Sequence, residues 1–335
     1  MKKSRIGCGT FLQIDILEEL RLKLPVLEIG ALKPKYPIIQ GGMAVRISTA
    51  PLAAAVANAG GIGIIAASGM GIDELKRQIR WARENSDGII GINIMFAVSK
   101  FAQIVNTALE EGIDLIIQGA GFSRDIFKWC TEAKVPLVPI VSTAKLAKLS
   151  EVLGASALVV EGKEAGGHLG TLESMRHIVP LVKNAVSIPV VAAGGIIDAL
   201  DMKEAFDLGA DGVQMGIRFA ASTESNAAPN LKEVYVRAKR EDIVLIDSPV
   251  GLPGRAIRNE FSEKINTDYD LSPENCVSCL KKCKQNFCIM DALENAQKGN
   301  LEKGLIFSGE YIEKINEILP AGEIIRKLVE DFKKL

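Results

Sequence analysis

Histidine is scarce in this chain of 335 residues, and one of the two stands where it could do chemistry. His168 ends the run Glu161-Gly-Lys-Glu-Ala-Gly-Gly-His, which follows a short apolar stretch. A side chain that titrates near neutral pH, placed after two glycines that permit close approach, suits proton transfer or polarisation of a substrate. We therefore predict that His168 is catalytic. His177 lies in a stretch with helical periodicity, and we predict no catalytic role for it.

Glycines follow two later apolar runs at the same relative position. Gly194 and Gly195 come after 190–193, and Gly216 comes after 212–215. At the ends of parallel strands, glycine lets backbone N–H groups approach a phosphate, and a following helix N-terminus favours the negative charge. The alternative is that these glycines only form tight turns. Their recurrence in two consecutive units favours phosphate binding.

Other residues at the predicted strand ends would converge on the same rim. Amides and backbone N–H groups there can hydrogen-bond a flat heteroaromatic ring, and a methionine can pack on it, although a single Asn or Gln is as often structural. The predicted cofactor-lining residues are Gly41, Gly42, Met43, Ala44, Asn93, Gln118, Glu161, Gly166, Gly167, Gly194, Gly195, Gln214, Met215 and Gly216.

The cysteines form a second candidate site. Six are present, and four of them fall within one short segment as Cys276-x2-Cys279-x3-Cys283-x4-Cys288. Four thiolates this close could hold an iron–sulfur cluster or zinc, and the lysines among them would offset the charge. The alternative is a pair of helices with free thiols, because spacings of three and four also produce a buried stripe. Clustering of this kind favours a reducing compartment, so we expect a cytoplasmic protein.

Eight short apolar runs, each followed by a helical pattern, must position these residues. Their starts lie about 20–32 residues apart, the length of one strand-plus-helix unit, and their Ile/Val content suits strands buried on both faces. We predict strands at 36–40, 62–66, 89–94, 114–118, 136–141, 157–161, 189–193 and 212–215. The expected fold is α/β: a (β/α)8 TIM barrel with a small, mostly helical C-terminal subdomain.

The rest of the chain falls into three pieces around this barrel. Residues 1–30 form a leader with helical spacing from Phe11 to Leu24, and residues 31–219 plus 311–335 form the barrel. Residues 220–310 form a lid or substrate subdomain that holds the cysteines and is helical to about Gly304. We predict that the last helix, interrupted by Pro320, packs back on the barrel.

Composition limits the class of partner. Forty basic against 41 acidic residues give a net charge of −1, which does not suit a nucleic-acid or membrane-surface binder. No apolar run approaches the ~20 residues of a membrane span, and Lys2, Lys3 and Arg5 are not followed by a signal-peptide core. We expect a small-molecule substrate, no nucleic acid and no membrane. The sequence leaves open whether the chain forms a homodimer.

Four motifs, in order, resemble the nitronate monooxygenase (formerly 2-nitropropane dioxygenase) family, whose superfamily includes the flavin-dependent enoyl-acyl-carrier-protein reductases. They are Gln-Gly-Gly-Met-Ala at 40–44, the run at 161–168, Ala-Ala-Gly-Gly-Ile at 192–196 and Gln-Met-Gly-x-Arg-Phe at 214–219. The resemblance covers about 35–260 and implies an FMN-bound barrel with a lid. It implies that His168 is the catalytic histidine. Gly194, Gly195 and Gly216 would hold the FMN phosphate, and Gly42, Met43, Asn93 and Glu161 would line the flavin and its ribityl chain.

The resemblance leaves more than one activity open. In the monooxygenase reaction, the histidine takes the α-proton of a nitroalkane, the flavin oxidises the nitronate, and O2 reoxidises the flavin. In the reductase reaction, NAD(P)H reduces the flavin, which passes hydride to an enoyl thioester while the histidine polarises or protonates the substrate. A third alternative is a non-catalytic flavin-binding protein that senses redox state through its cysteines. We expect the monooxygenase reaction first.

Overall fold

The computed structural model of the protein describes residues 23–119, 121–267 and 270–335. The helix predicted from Phe11 to Leu24 lies outside these ranges apart from its last two residues. None of the helices in the described ranges is long and apolar enough to cross a lipid bilayer.

Eight parallel strands close into a barrel, which confirms the predicted (β/α)8 fold. The first and last strands close the ring, with Gln40 beside Met215. The barrel strands, in the order in which they pair, are β1 (Ile38–Gln40), β2 (Ile62–Ala66), β3 (Ile89–Met95), β4 (Leu115–Gly119), β5 (Leu137–Val141), β6 (Leu158–Glu161), β8 (Val190–Ala193) and β9 (Gly212–Met215).

Helices follow the strands and cover the outside of the barrel. Thr49 precedes the first helix and proline stands in its first turn, while Thr143 caps a later helix by accepting a hydrogen bond from Leu146 N. These helices are α1 (Ala50–Asn58), α2 (Ile72–Glu84), α3 (Phe101–Glu110), α4 (Asp125–Ala133), α5 (Ala144–Val152), α6 (Met175–Lys183), α7 (Ala199–Asp207) and the short α8 (Ile217–Ala220).

Alternation along each strand divides the apolar side chains into two layers. Ile64, Ile117 and Val159 belong to a cluster that fills the barrel interior, and their neighbours along the strands pack against the helices. Successive side chains of a strand point to opposite faces, so both layers need apolar residues. The near-continuous Ile/Val runs of the sequence meet this need.

Between the barrel's last strand and the terminal helix lies the region predicted to form a lid, and we call it the lid below. Its helices are α9 (Pro229–Arg237), α10 (Glu260–Ile265) and α11 (Ile289–Gln297). Strands β10 (Ile243–Asp247) and β11 (Pro253–Ile257) pair antiparallel, and β11 pairs in turn with β7 (Gly167–His168), which leaves the barrel after β6. The register places Gly254 opposite His168.

The region predicted to be helical up to Gly304 is only partly helical in the structure. The cysteine segment before α11 contains no helix among its described residues; Cys288 directly precedes α11. Pro273 restricts the backbone near its start, and Ser278 and Gln285 have left-handed φ angles of 51° and 59°, which interrupt a helix.

The terminal helix, α12 (Ala321–Phe332), begins after Pro320 rather than running through it. Proline is tolerated at the start of a helix because a backbone N–H at that position would have no partner within the helix. Helix α12 lies against α1 and α7 and so covers the barrel beside β1. The division into a 220–310 lid and a two-part barrel stays a prediction.

Candidate active site

A cavity of about 250 Å³ opens at the carboxyl ends of the barrel strands, between the barrel and the lid. Parallel barrels bring the loops from all their strands to this end, which is where active sites form. Thirteen of the residues predicted from the sequence line it: Gly41, Gly42, Met43, Ala44, Asn93, Glu161, Gly166, Gly167, His168, Gly194, Gly195, Gln214 and Gly216.

Two predicted residues do not line this cavity. Gln118 donates from Nε2 to the carbonyl of Gly121 at 3.1 Å, and Met215 is buried among the side chains between the sheet and the helices. Both side chains alternate with a cavity-lining neighbour, Gly119 and Gln214 respectively, so they point to the other face of their strands. Strand ends can be predicted from the sequence more easily than the face that each residue presents.

His168 lies on β7 with its ring fixed by two contacts from the lid. Its Nε2 lies 2.8 Å from Ser248 Oγ, and its ring meets that of Phe307 edge-on, with centroids 5.2 Å apart. Burial lowers the pKa of His168 from 6.5 to about 4, because the protein does not solvate the imidazolium as water would. The ring is therefore neutral near pH 7. Although two glycines precede it, His168 lies in a paired strand rather than in a loop.

Glu161 brings a carboxyl group into the barrel mouth at the end of β6. Its side chain shares the interior face with Val159 and lines the cavity. Burial raises its pKa to about 7. The Glu161 side chain is half-buried and faces the cavity, so its protonation depends on what the cavity contains.

A hydrogen-bond network fixes the turn that follows β1. Buried Gln40 accepts from Ile64 N at 3.0 Å through Oε1 and donates to Ser48 Oγ at 3.0 Å. Ser48 Oγ in turn accepts from Met43 N at 3.0 Å. These bonds hold the Gly41–Ala44 turn against the cavity before any ligand enters.

The turn after β8 directs its backbone towards the cavity. Gly194 and Gly195 have φ angles of 99° and 74°, values that other residues rarely adopt. A Cβ on Gly195 would also lie 2.8 Å from the Tyr311 ring. Tyr311, which directly precedes the short 3-10 helix Ile312–Lys314, lines the cavity at this turn.

The sequence reasoning missed several residues of this site. Glu164 is buried and accepts hydrogen bonds from Ser174 Oγ and from Met175 N, so it fixes the loop between β6 and α6. Its signal was available, because it lies inside the motif that ends at His168. Ser248 lies 80 residues from His168 in sequence, within a Ser-Pro loop whose pattern indicates only a turn.

The four clustered cysteines lie outside this cavity. All four are free thiols, with Cys276 and Cys283 exposed and the other two half-buried. Within the described ranges, no group of three His, Cys, Asp or Glu side chains is already arranged to hold a metal ion. The predicted iron–sulfur or zinc centre is therefore not preassembled in this structure.

Comparison with known proteins gives concordant results. A family model described as nitronate monooxygenase matches residues 27–108 and 89–331. A 5-hydroxy-7a-methyl-1-oxo-octahydro-1H-indene-4-carboxyl-CoA dehydrogenase of Mycobacterium tuberculosis is 32% identical, covering 74% of this chain and 70% of that protein. A probable nitronate monooxygenase of Staphylococcus saprophyticus is 29% identical over 94% of this chain and 99% of its own length.

Among solved structures, FabK from Thermotoga maritima superposes with a TM-score of 0.82 and 36% sequence identity. The match covers 90% of this chain and 94% of that chain. The family model, the relatives and the barrel with its histidine-bearing rim agree with one another and with the motifs of the sequence. The chain belongs to the nitronate monooxygenase family of oxidoreductases.

Proposed function

We propose that this protein is an FMN-dependent oxidoreductase. The observation that carries the proposal is Gln214, whose Oε1 is buried at the cavity and accepts no hydrogen bond from the described part of the chain. A buried acceptor without a partner costs about 1–3 kcal/mol, so a ligand donor is expected opposite it. The imide edge of a flavin ring offers such a donor.

The strand ends of β8 and β9 fit the phosphate of FMN. The N–H groups of Gly195 and Gly216 donate to no acceptor within the described ranges, and α8 begins directly after Gly216. Phosphate sites in barrels form from these two loops and a short extra helix. The described lining contains neither lysine nor arginine, so backbone groups would carry the phosphate.

The cofactor is tested by heat release and mass spectrometry. We expect FMN at about one equivalent per chain. The cavity has a single cradle of this type and the sequence carries no separate dinucleotide fingerprint, so FAD is not expected. Recovery of FAD, or failure to retain any flavin after reconstitution, would contradict the proposal.

Within this chemistry, we favour reduction of a 2-enoyl thioester at the expense of NAD(P)H. The lid contributes an apolar wall to the cavity through Leu231 and Tyr235 of α9 and Leu293 of α11. An apolar wall without a cation suits a neutral acyl chain better than a small anion such as a nitronate. The carboxyl-CoA dehydrogenase among the relatives supports a thioester substrate.

FMN would supply the hydride chemistry, and His168 would handle the proton. With Ser248 bonded to Nε2, the other ring nitrogen is left for the substrate. If the hydroxyl donates to Nε2, that second nitrogen carries a proton and can polarise the thioester carbonyl. If Nε2–H donates to the hydroxyl, the second nitrogen is a base. Ser248 accepts either arrangement, because a hydroxyl both donates and accepts.

Nitroalkane or nitronate oxidation with O2 is the second candidate. A neutral imidazole near pH 7 is the form needed to remove the α-proton of a nitroalkane, and the lowered pKa of His168 provides it. The probable nitronate monooxygenases among the relatives support this candidate as well. A non-catalytic redox sensor is not favoured, because the family is one of oxidoreductases.

Parallel assays distinguish the candidates. Crotonyl thioester with NADH or NADPH, without O2, is compared with propionate 3-nitronate and nitroethane in air. We expect kcat/KM for the thioester to exceed that for either nitro compound, and to fall in His168→Ala. The reverse order would assign nitronate oxidation. Bound FMN without turnover of any of these substrates would contradict both.

A further inference from the structure

The segment from Leu271 to Cys288 has unusually little structure of its own. Among its described residues, it forms no helix and no named strand, and only Leu280 and Phe287 bury large apolar side chains. Backbone bonds dock it on the loop after β3: Ser99 N donates to Cys279 O at 2.9 Å, and Lys281 N donates to Ala97 O at 2.8 Å. So small a core does not by itself fix a chain segment.

The thiols of Cys276, Cys283 and Cys288 lie within electrostatic reach of the Cys279 thiol, although the described side chains are not yet arranged around one point. Gln285 links two of them, because its backbone N–H donates to Cys283 Sγ at 3.4 Å and its Nε2 approaches Cys276 Sγ at 3.8 Å. N–H groups directed at sulfur stabilise the thiolate relative to the thiol.

The backbone between the cysteines turns tightly in two places. Ser278 lies between Cys276 and Cys279, and Gln285 follows Cys283; both have φ near +50° to +60° without being glycine. A left-handed residue other than Gly, Asn or Asp costs free energy that something else must offset. These turns bend each thiol-bearing loop back on itself, and they prevent the helix that would have spread the thiols along a stripe.

From this grouping we propose that Cys276, Cys279, Cys283 and Cys288 bind one metal centre as thiolates, and that the centre fastens the lid to the barrel rim. The chemical class is a thiolate-preferring centre, either an iron–sulfur cluster or zinc. The sulfurs are not preassembled, so binding draws them together. Exposed Cys276 and Cys283, on irregular backbone, are free to make this adjustment.

The consequence reaches the cavity through α11. Cys288 is the residue directly before this helix, and Leu293 of the same helix lines the cavity. Fixing Cys288 to the other three sulfurs fixes the start of α11. Because metal binding and ordering of a small unit are thermodynamically coupled, removal of the centre should loosen the lid before it affects the barrel.

The test uses the full-length protein, purified without oxygen and without added chelator. Iron, acid-labile sulfide and zinc are measured per chain, together with native thiols, for wild type, Cys279→Ser and Val277→Ser. Val277 lies between two of the cysteines and is 77% exposed, so its substitution controls for the loop without removing a thiol. Hydrogen exchange of 270–288 and of the barrel strands is measured on the same samples.

We expect about four irons and four sulfides, or about one zinc, in wild type and Val277→Ser, and under about one-tenth of this in Cys279→Ser. Iron with sulfide identifies a cluster, and zinc alone identifies a structural ion. Hydrogen exchange of the segment should rise at least about tenfold in Cys279→Ser while the barrel strands and the flavin content stay unchanged. Four freely titrating thiols with no metal in wild type would overturn the proposal. So would equal metal content in all three proteins.

Discussion

The barrel and the lid are stabilised by different kinds of contact. Each barrel strand lies between two neighbours and beneath a helix, and its apolar side chains fill both layers of the core. The described part of the lid is held together by an antiparallel pair of strands, three helices and loops that contact the barrel. His168 lies where the two meet, on a strand that leaves the barrel and pairs with the lid.

This difference teaches where stability and adjustment reside in the active site. The glycine turn after β8 and the Gly41–Ala44 turn are set by the barrel, so they should hold their shape whatever the lid does. The apolar wall and the Ser248 contact belong to the lid, where local opening costs less free energy than global unfolding. We expect substitutions in the barrel to affect folding as a whole and substitutions in the lid to affect mobility and substrate preference.

The largest effect is expected from Gly63→Ala in β2. An added Cβ would lie 1.9 Å from the carbonyl oxygen of Ala53 in α1, a distance that forces the helix away from the strand. We expect the free energy of unfolding to fall by ~3 kcal/mol or more. Urea unfolding measures this fall, and barrel and lid should unfold together. Gly71→Ala, where an added Cβ meets nothing within 4 Å, is the control and should change little.

His168→Ala should lower kcat/KM on the order of 100-fold or more with the preferred substrate, because it removes the group that we propose handles the proton. Flavin content and the unfolding midpoint should change little, since the ring lies at the boundary and not in the barrel core. His177→Ala is the matched control: this histidine is exposed, and its ring pairs with Glu173 at 3.0 Å. Unchanged turnover in His168→Ala would show that His168 has a structural role and not a catalytic one.

Opposite pH dependences are expected from two groups at the cavity. Glu161, with its pKa raised to about 7, costs stability as the pH rises from about 4.5 to about 7, because the unfolded chain loses that proton first. His168, with its pKa lowered to about 4, costs stability as the pH falls from about 6.5 to about 4, because the unfolded chain gains a proton first. Between about pH 4.5 and 6.5 the two effects offset.

Glu161→Gln should leave only the histidine effect. Relative to wild type, the variant should gain on the order of 2 kcal/mol by pH 8, after allowing for solvent in the cavity. Its stability should also rise with pH from about 4.5 to 6.5, where that of wild type is nearly flat. Urea unfolding across this range, at matched flavin content, measures both. Parallel pH curves for the two proteins would show that Glu161 titrates at an ordinary pKa.

The smallest effect is expected from Lys281→Ala. The Lys281 ammonium lies 3.5 Å from the centre of the Phe96 ring, and this pair helps to hold the cysteine segment on the barrel rim. Its loss should cost ~1 kcal/mol of local stability. Hydrogen exchange of 276–284 should accelerate while the barrel strands stay protected. Substitution of the exposed neighbour, Lys282→Ala, should leave hydrogen exchange of the segment unchanged. Equal acceleration in both variants would show that the Lys281–Phe96 contact does not hold the segment on the rim.

Barrel and rim were predictable because their signals are local. Apolar runs, glycines and their spacing located the eight strands and thirteen cavity residues. Gln118 and Met215 were placed on the wrong face, since a run that is apolar throughout hides which side each residue presents. Ser248 and Phe307 could not be found at all, because their contacts with His168 depend on how the lid folds over the barrel. The loop conformation of the cysteine segment was missed because its spacing also fits a helix.

The pairing of β7 with β11 has a consequence for anyone who wishes to alter this protein. The partner of His168 in the sheet is Gly254, so this side chain is aligned by a segment that follows the last barrel strand in sequence. If a lid from another protein were joined after β9, its strand would have to pair with β7, whose register matches the native β11. A one-residue mismatch turns side chains to the opposite face of a sheet. An exchange of lids therefore needs residues 166–170 to travel with it, although they belong to the barrel by position.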